Sequence, residues 1–337
     1  FKNDNKKFNI NINDDKCKRY AACIIKNVAV KDSPEWLRNS LESIGQKSIN
    51  NIVDAANFIL MDLGHPMHTF DFDKIKSESI NVRLAKKNET IITLDECKQK
   101  LNSDNLLICD GNNPIAIAGI IGGNNSGVDE NTKNILIESA IFDPVNIRKS
   151  SKSLGISTEA SKRFERGTDI NMLIPALNKL VHLIQDIAGG KVSSKIFDVY
   201  DHNYVEFDSN GFLHSHMLKE IPFDIAKCND FLGTELNLKE VKKIFGYLYI
   251  DCRNVNKKII CTIPSFRNDL EREVDLYEEV ARVYGYDNIS YSESFTSSYS
   301  CVGVDKHENI KFISSLLSSN GFNEHYSNSL ISEEENE

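Results

Sequence analysis

Nowhere in the 337 residues does the chain run for the ~20 consecutive apolar residues that a helix needs to span a bilayer. The polar stretch Lys2-Asn3-Asp4-Asn5-Lys6-Lys7 lacks the apolar segment of a signal peptide. The sequence therefore predicts no membrane partner and a cytoplasmic protein. Its eight cysteines (Cys17, Cys23, Cys97, Cys109, Cys228, Cys252, Cys261, Cys301) form no CxxC pair, and several lie in apolar, strand-like runs. Reduced structural thiols are expected, and a zinc site is not. A net charge of -9 argues against binding nucleic acid through bulk positive charge. The glycine-containing run 119–123 lacks the Lys-Ser/Thr ending of a phosphate-binding loop, so it holds no nucleoside triphosphate. There is no internal repeat.

What is present is an ordinary globular composition, 40% hydrophobic and 26% charged, at a length that predicts two or three domains. The start at Phe1 and the end Glu333-Glu334-Glu335-Asn336-Glu337 read as those of a fragment. Four stretches stand out: His65-Pro66-Met67-His68, residues 119–123, the isolated Glu138, and Thr158-Glu159-Ala160. Each sets glycine or a small residue beside a polar group, as a pocket that brings a ligand close to backbone requires. Around the last, Arg148, Lys149, Lys152, Lys162, Arg163 and Arg166 outnumber Glu159 and Glu165, a local basic patch able to meet phosphates.

Periodicity divides the chain. Residues 20–30 read as a strand. Ser33-Pro34-Glu35 opens a helix with Ser33 as cap; Leu37, Leu41 and Ile44 form its stripe and Gly45 ends it. A helix over 51–63 stops at Gly64. Apolar runs at 80–84, 106–109, 115–121 and 135–142, separated by Gly, Asn and Asp turns, predict strands. A helix is expected over 170–188, closed by Gly189-Gly190. After a polar, linker-like stretch at 201–216, helices at 223–232 and 238–248, a strand at 259–263 and a helix at 271–284 resemble a winged helix-turn-helix. Another helix starts at 310–317.

The motif series resembles the beta subunit of bacterial phenylalanyl-tRNA synthetases. The matching residues are Ser33-Pro34-Glu35-Trp36, Ile52-Val53-Asp54-Ala55-Ala56-Asn57, Gly64-His65-Pro66-Met67-His68-Thr69-Phe70-Asp71, 119–123, Glu138-Ser139-Ala140 and 161–167. Ile263-Pro264-Ser265-Phe266-Arg267 and the run 275–287 follow in the family's order. The resemblance implies an α+β fold: a lead-in over 1–18, an editing module with a beta-sandwich core over 19–206, a winged-helix-like module over 207–290, and over 291–337 a linker with the start of a catalytic-like domain.

It also implies a chemistry: hydrolysis of tyrosine wrongly attached to tRNA(Phe). Glu138 matches the residue that reads the tyrosine hydroxyl, and a carboxylate is a natural acceptor for a phenol. Gly122 matches a position where backbone lines the pocket. His68 matches the editing histidine, able either to act as a base or to orient water. Thr158, Pro66, Ala160 and Asn57 match other site positions. Ala56 stands where threonine is common, and Lys47 where arginine is usual, losing bidentate geometry; both departures predict a slower site. Asp269, Asp275, Glu278 and Glu279 match magnesium ligands; the last three are placed on one helical face, where Mg2+ or Arg267, Arg272 or Arg282 would counter their repulsion. The whole enzyme would be an alpha2-beta2 tetramer with the alpha subunit, using ATP and Mg2+. Two rival readings are a structural, tRNA-docking subunit with a degenerate pocket and a DNA-binding regulator, the latter disfavoured because residues 238–248 lack a dense basic helix.

Overall fold

The computed structural model describes residues 8–200, 206–208, 212–214, 217–255, 258–291 and 305–326, with Asn328, Leu330 and Ser332. In chain order the larger domain contains β1 (Asn9–Ile12), β2 (Cys17–Lys26), α1 (Glu35–Glu42), α2 (Asn51–Leu63), β3 (Met67–Asp71), β4 (Ser79–Leu84), β5 (Thr90–Ile92), β6 (Lys98–Lys100), β7 (Leu106–Asp110), β8 (Asn113–Ile117), β9 (Ile121–Gly122) and β10 (Asn134–Phe142). α3 (Pro144–Leu154), α4 (Glu159–Phe164), α5 (Leu173–Ala188), β11 (Lys191–Val192) and β12 (Phe197–Tyr200) complete it.

Two sheets form a sandwich. One has the order β1-β4-β7-β8-β9, and the other β11-β2-β10-β3, with β12 also on β2. Because side chains alternate across a strand, β10 serves two cores. Leu136, Ala140 and Phe142 join the inter-sheet core with Ile80, Val82 and residues 106–109. Ile135, Ile137 and Ile141 face a second core built with α2 and α5, through Ile52, Ile59, Leu177 and Ile184. Glu138 falls on the even-numbered side, between the sheets. It does not lie at a sheet edge, since β10 pairs with both β2 and β3.

Residues 9–12 of the expected lead-in are strand β1, paired in parallel with β4, and Phe8 and Ile10 enter the inter-sheet core. Ser33 does not cap α1: Pro34 occupies that position, and the Ser33 hydroxyl donates to buried Asp54 at 2.5 Å. Leu37 and Leu41 are buried, whereas Ile44 lies beyond the helix end and is exposed. α2 ends as expected at Gly64, whose φ of 71° is the left-handed form glycine adopts without strain. The run 115–121 is not one strand. It breaks after Ile117 and resumes at Ile121, making a turn that bears on the site.

The smaller domain contains β13 (Glu220–Phe223), α6 (Ile225–Leu232), α7 (Leu238–Tyr247), β14 (Asp251–Val255), β15 (Lys258–Thr262) and α8 (Glu273–Tyr284). Its sheet, β13-β15-β14, and its helices enclose a core centred on Phe245, Leu276 and Val280. Periodicity missed β13 and β14, which are short and partly polar, with exposed positions such as Glu220, Asp251 and Arg253. α9 (Lys306–Ser319) belongs to a separate unit. The linker expected at 201–216 falls largely outside the described residues, apart from a bridge between Phe207 and Leu213.

Candidate functional site

A cavity of about 60 Å³ opens between the sheets. Glu138 and His68 line it together with Pro66, Gly122, Ala160 and Phe164. Register accounts for the central pair: Glu138 lies directly opposite His68 on β3 and Ala22 on β2. Directly opposed residues share a face, and a residue two further along is within reach of a long side chain. Tyr20, two positions before Ala22, reaches Glu138 and donates its hydroxyl to Oε2 at 2.9 Å.

Burial sets the electrostatics. Glu138 is only 6% exposed, and loss of water pushes its carboxyl up to about 8 despite the Tyr20 hydrogen bond, which pulls the other way. A carboxyl in apolar surroundings keeps its proton because the charged form has lost its hydration. Tyr20 is raised well above the ordinary phenol value by burial and by the neighbouring Glu138. His68 is lowered to about 4 by burial and is therefore neutral at physiological pH. An edge of the residue reaches solvent, yet its Nε2 is buried without a hydrogen-bond partner among the described residues. The ring stands edge-on to Phe70, centroids 4.6 Å apart.

Gly122 covers that ring. A Cβ at this position would lie 2.7 Å from both Cε1 and Nε2 of His68 and 3.0 Å from Leu94. Glycine is required here by close approach, since its backbone φ is not in the left-handed region. Thr158 has a different task. It caps α4 by accepting from the Ser161 amide at 3.1 Å, and its hydroxyl donates to the Ile120 carbonyl at 2.9 Å. Thr158 thus ties the turn at 118–120 to the helix that carries Ala160 and Phe164, and does not itself line the cavity.

The remaining predicted residues lie apart from it. Lys47 is exposed in the loop before α2, and Asn57 is half-buried on α2; neither lines the cavity. Ala56 is buried in the helix-side core. A threonine there would place its hydroxyl among apolar side chains, not in this cavity. Sequence reasoning missed Tyr20, whose signal was a phenol inside an apolar strand: a buried hydroxyl needs a partner.

The four acids of the smaller domain do not fit a magnesium ion. Glu278 is exposed while Glu279 is buried, so adjacent positions on α8 point apart. Arg267 bridges Asp269, at 2.6 and 2.9 Å, and Glu279, at 2.9 and 3.1 Å. Arg282 adds a 2.5 Å contact to Glu279. Asp275 accepts from the amides of Glu271 and Arg272 and from the Arg272 side chain. Arginines and helix-start amides already counter the charge, and no acidic cluster among the described residues could hold a metal.

On the surface, Arg148, Lys149 and Lys152 of α3 line a hollow of about 300 Å³ with Pro144, Val145 and Glu165. Farther along the basic segment, Lys162 and Arg163 pair with Glu159 at 2.8 and 2.7 Å. Among the described residues, the basic side chains of this segment outside these ion pairs are Arg148, Lys149 and Lys152 on α3 and the exposed Arg166 beyond α4.

Residues 16–189 match the B3/4 domain family, and residues 221–286 match the tRNA synthetase B5 domain. The chain is similar to the phenylalanine–tRNA ligase beta subunit of Protochlamydia amoebophila, 44% identical over 81% of this chain and 33% of that one. It is 39% identical to the corresponding subunit of Syntrophotalea carbinolica over 94% of this chain and 39% of that one. For Fusobacterium nucleatum the identity is 44%, over 82% and 33%. The chain thus spans roughly a third of the length of these relatives. No described helix is long and apolar enough to cross a membrane.

Proposed function

The chain belongs to the B3/4 domain family, and from that and its similarity to phenylalanine–tRNA ligase beta subunits we propose that its larger domain is an editing module hydrolysing tyrosyl-tRNA(Phe). The observation that carries this reading is Glu138, a buried carboxyl in a small apolar cavity beside a neutral histidine. A pocket shaped for phenylalanine rejects the same ring plus a hydroxyl by only ~100-fold, whereas a site built to bond that hydroxyl rejects the ring lacking it by ~10,000-fold or more. A second site of the latter kind is what accuracy requires.

In this reading Tyr20 holds Oε2 of Glu138, leaving Oε1 for the substrate phenol. A protonated carboxyl can donate to that phenol as well as accept from it. Water adds to the ester carbonyl, the bond to the terminal ribose oxygen breaks, and that oxygen leaves as a hydroxyl while tyrosine departs as its carboxylate. His68, uncharged at neutral pH, orients the water or takes its proton. Thr158 acts at one remove, by fixing the wall that bears Ala160. The exposed basic face of α3 suits the tRNA backbone, where cationic side chains gain by releasing counterions.

The whole enzyme, a cytoplasmic alpha2-beta2 assembly with the alpha subunit, would join phenylalanine to tRNA(Phe) using ATP and Mg2+. The four acids around Arg267 are given no part in metal binding by this chain. The test is hydrolysis of tyrosyl- and phenylalanyl-tRNA(Phe) by the chain and by its Glu138→Ala and His68→Ala variants. Selective loss of the tyrosyl ester, abolished by Glu138→Ala, is expected. Absence of hydrolysis, repeated in the full tetramer, would reject editing and leave a structural, tRNA-docking subunit.

A further inference from the structure

On the hairpin of the smaller domain, Cys252 of β14 lies directly opposite Cys261 of β15, with the two Sγ atoms 3.5 Å apart. Directly opposed residues in an antiparallel pair have Cα atoms about 4.5–5.5 Å apart, inside the ~4.4–6.8 Å range that a disulfide bridges. The two thiols differ in access. Cys261 is buried in the core of this domain, while Cys252 is half-buried and packs against that core from its edge. We infer that Cys252 and Cys261 form a reversible thiol–disulfide modification site that reacts with low-molecular-weight disulfides, Cys252 being the thiol that attacks them from the solvent side and Cys261 the resolving one.

The chemistry balances with glutathione disulfide as oxidant. The Cys252 thiolate attacks one sulfur of glutathione disulfide, its S–S bond breaks, and one glutathione leaves. Cys261, losing its proton, then attacks the Cys252 sulfur of the mixed disulfide and expels the second glutathione. The two protein protons end on the two glutathione thiols; the protein pair is oxidised by two electrons and glutathione disulfide is reduced by two. The hydrogen bond with Cys261 and the more distant charge of Lys242 draw the Cys252 thiol down against its partial burial, which favours it as the entering thiolate. Cys261 is pushed up by that hydrogen bond and by burial. Proximity across the ladder makes the second step intramolecular.

Peptide mapping after treating the full chain with glutathione disulfide tests this. The expected product has Cys252 joined to Cys261, two thiols fewer, no retained glutathione, and full reversal by dithiothreitol. In Cys261→Ser, glutathione should instead accumulate on Cys252; in Cys252→Ser, Cys261 should stay unmodified. Wild-type protein that retains glutathione on Cys252, leaves both thiols free, or links either to another cysteine overturns the proposal. The wild-type map decides the matter even where a serine variant folds poorly.

Discussion

Glu138 and His68 face each other across adjacent strands in a single cavity, one an acid that holds its proton to about 8 and the other a base that stays neutral down to about 4. Burial does both, since it disfavours whichever form carries charge. In the wide interval between these values both groups are uncharged. A water-excluding cavity can then accept a neutral phenol without stranding an ion beside it, and each group remains able to exchange a hydrogen bond.

The same burial predicts how stability depends on pH. Glu138 is raised from 4.5 to about 8 on folding. Its contribution is present below pH 4.5 and lost as pH rises through 8, because the unfolded chain releases a proton that the folded one retains. His65 and His68, lowered from 6.5 to about 4 by burial, act in the opposite sense: stability is present above pH 6.5 and lost as pH falls through 4. Two histidines outweigh one acid below 6.5, and only Glu138 of the three still titrates between 6.5 and 8. Urea unfolding across this range should show a maximum near pH 6.5, and Glu138→Gln should flatten the alkaline limb. A Glu138→Gln profile parallel to wild type above pH 6.5 would refute the assignment.

Arg19 should be a main support of β12. It is fully buried, bonds both carboxylate oxygens of Asp198 at 2.8 and 2.9 Å, and stacks its guanidinium 3.7 Å from the Phe207 ring centroid. Arg19→Met removes the charge but leaves Asp198, which is a quarter exposed. The expected cost is about 3 kcal/mol, at the low end for a broken buried pair because water can reach the orphaned carboxylate. Asp198→Asn, which keeps an acceptor but leaves the fully buried guanidinium without its counter-charge, should lower the urea midpoint at least as much as Arg19→Met; a clearly smaller effect would show that Arg19 stabilises through other contacts, such as the Ile170 carbonyl.

Elements that announce themselves locally were readable in the sequence. α2 was found from its apolar stripe and the glycine at its end, and α5 from its stripe and Gly189. α3 was missed although Asp143 and Pro144 spell a helix start, because its polar body offers little periodic apolar signal. Glu138 stands out in the sequence as an isolated acid and takes its expected role from the resemblance, but its depth depends on β10 lying between β2 and β3, pairings far apart in the chain. Tyr20 carries a local signal, a phenol inside an apolar strand, but which group bonds its hydroxyl depends on the same long-range pairing. The spacing of the acids on α8 does not reveal that a step of one residue leaves Glu278 exposed and Glu279 buried.

That step yields a metal prediction. Since Arg267 and Arg282 already satisfy Glu279, millimolar magnesium chloride should leave the thermal midpoint of the smaller domain unchanged beyond the small shift given by equal ionic strength of sodium chloride. Arg267→Met should destabilise it by about 3 kcal/mol, because a buried carboxylate loses its main partner. A magnesium-specific rise in the wild-type midpoint would contradict the arginine arrangement.

Gly122 offers the sharpest link between packing and activity. A methyl group at this position meets His68 at 2.7 Å and Leu94 at 3.0 Å, so Gly122→Ala can be accommodated only if the imidazole moves. Overpacking of this kind costs about 1–3 kcal/mol, and displacing His68 should lower tyrosyl-tRNA(Phe) hydrolysis well beyond what lost stability explains. The cause can be separated from general damage by a double-mutant cycle. In a His68→Ala background the collision with the ring is absent, so adding Gly122→Ala should cost markedly less stability than it does in wild type, with Leu94 free to yield as a partly exposed side chain. If the two changes instead add in full, the glycine is needed for another reason, and His68 is not held in place by the backbone opposite.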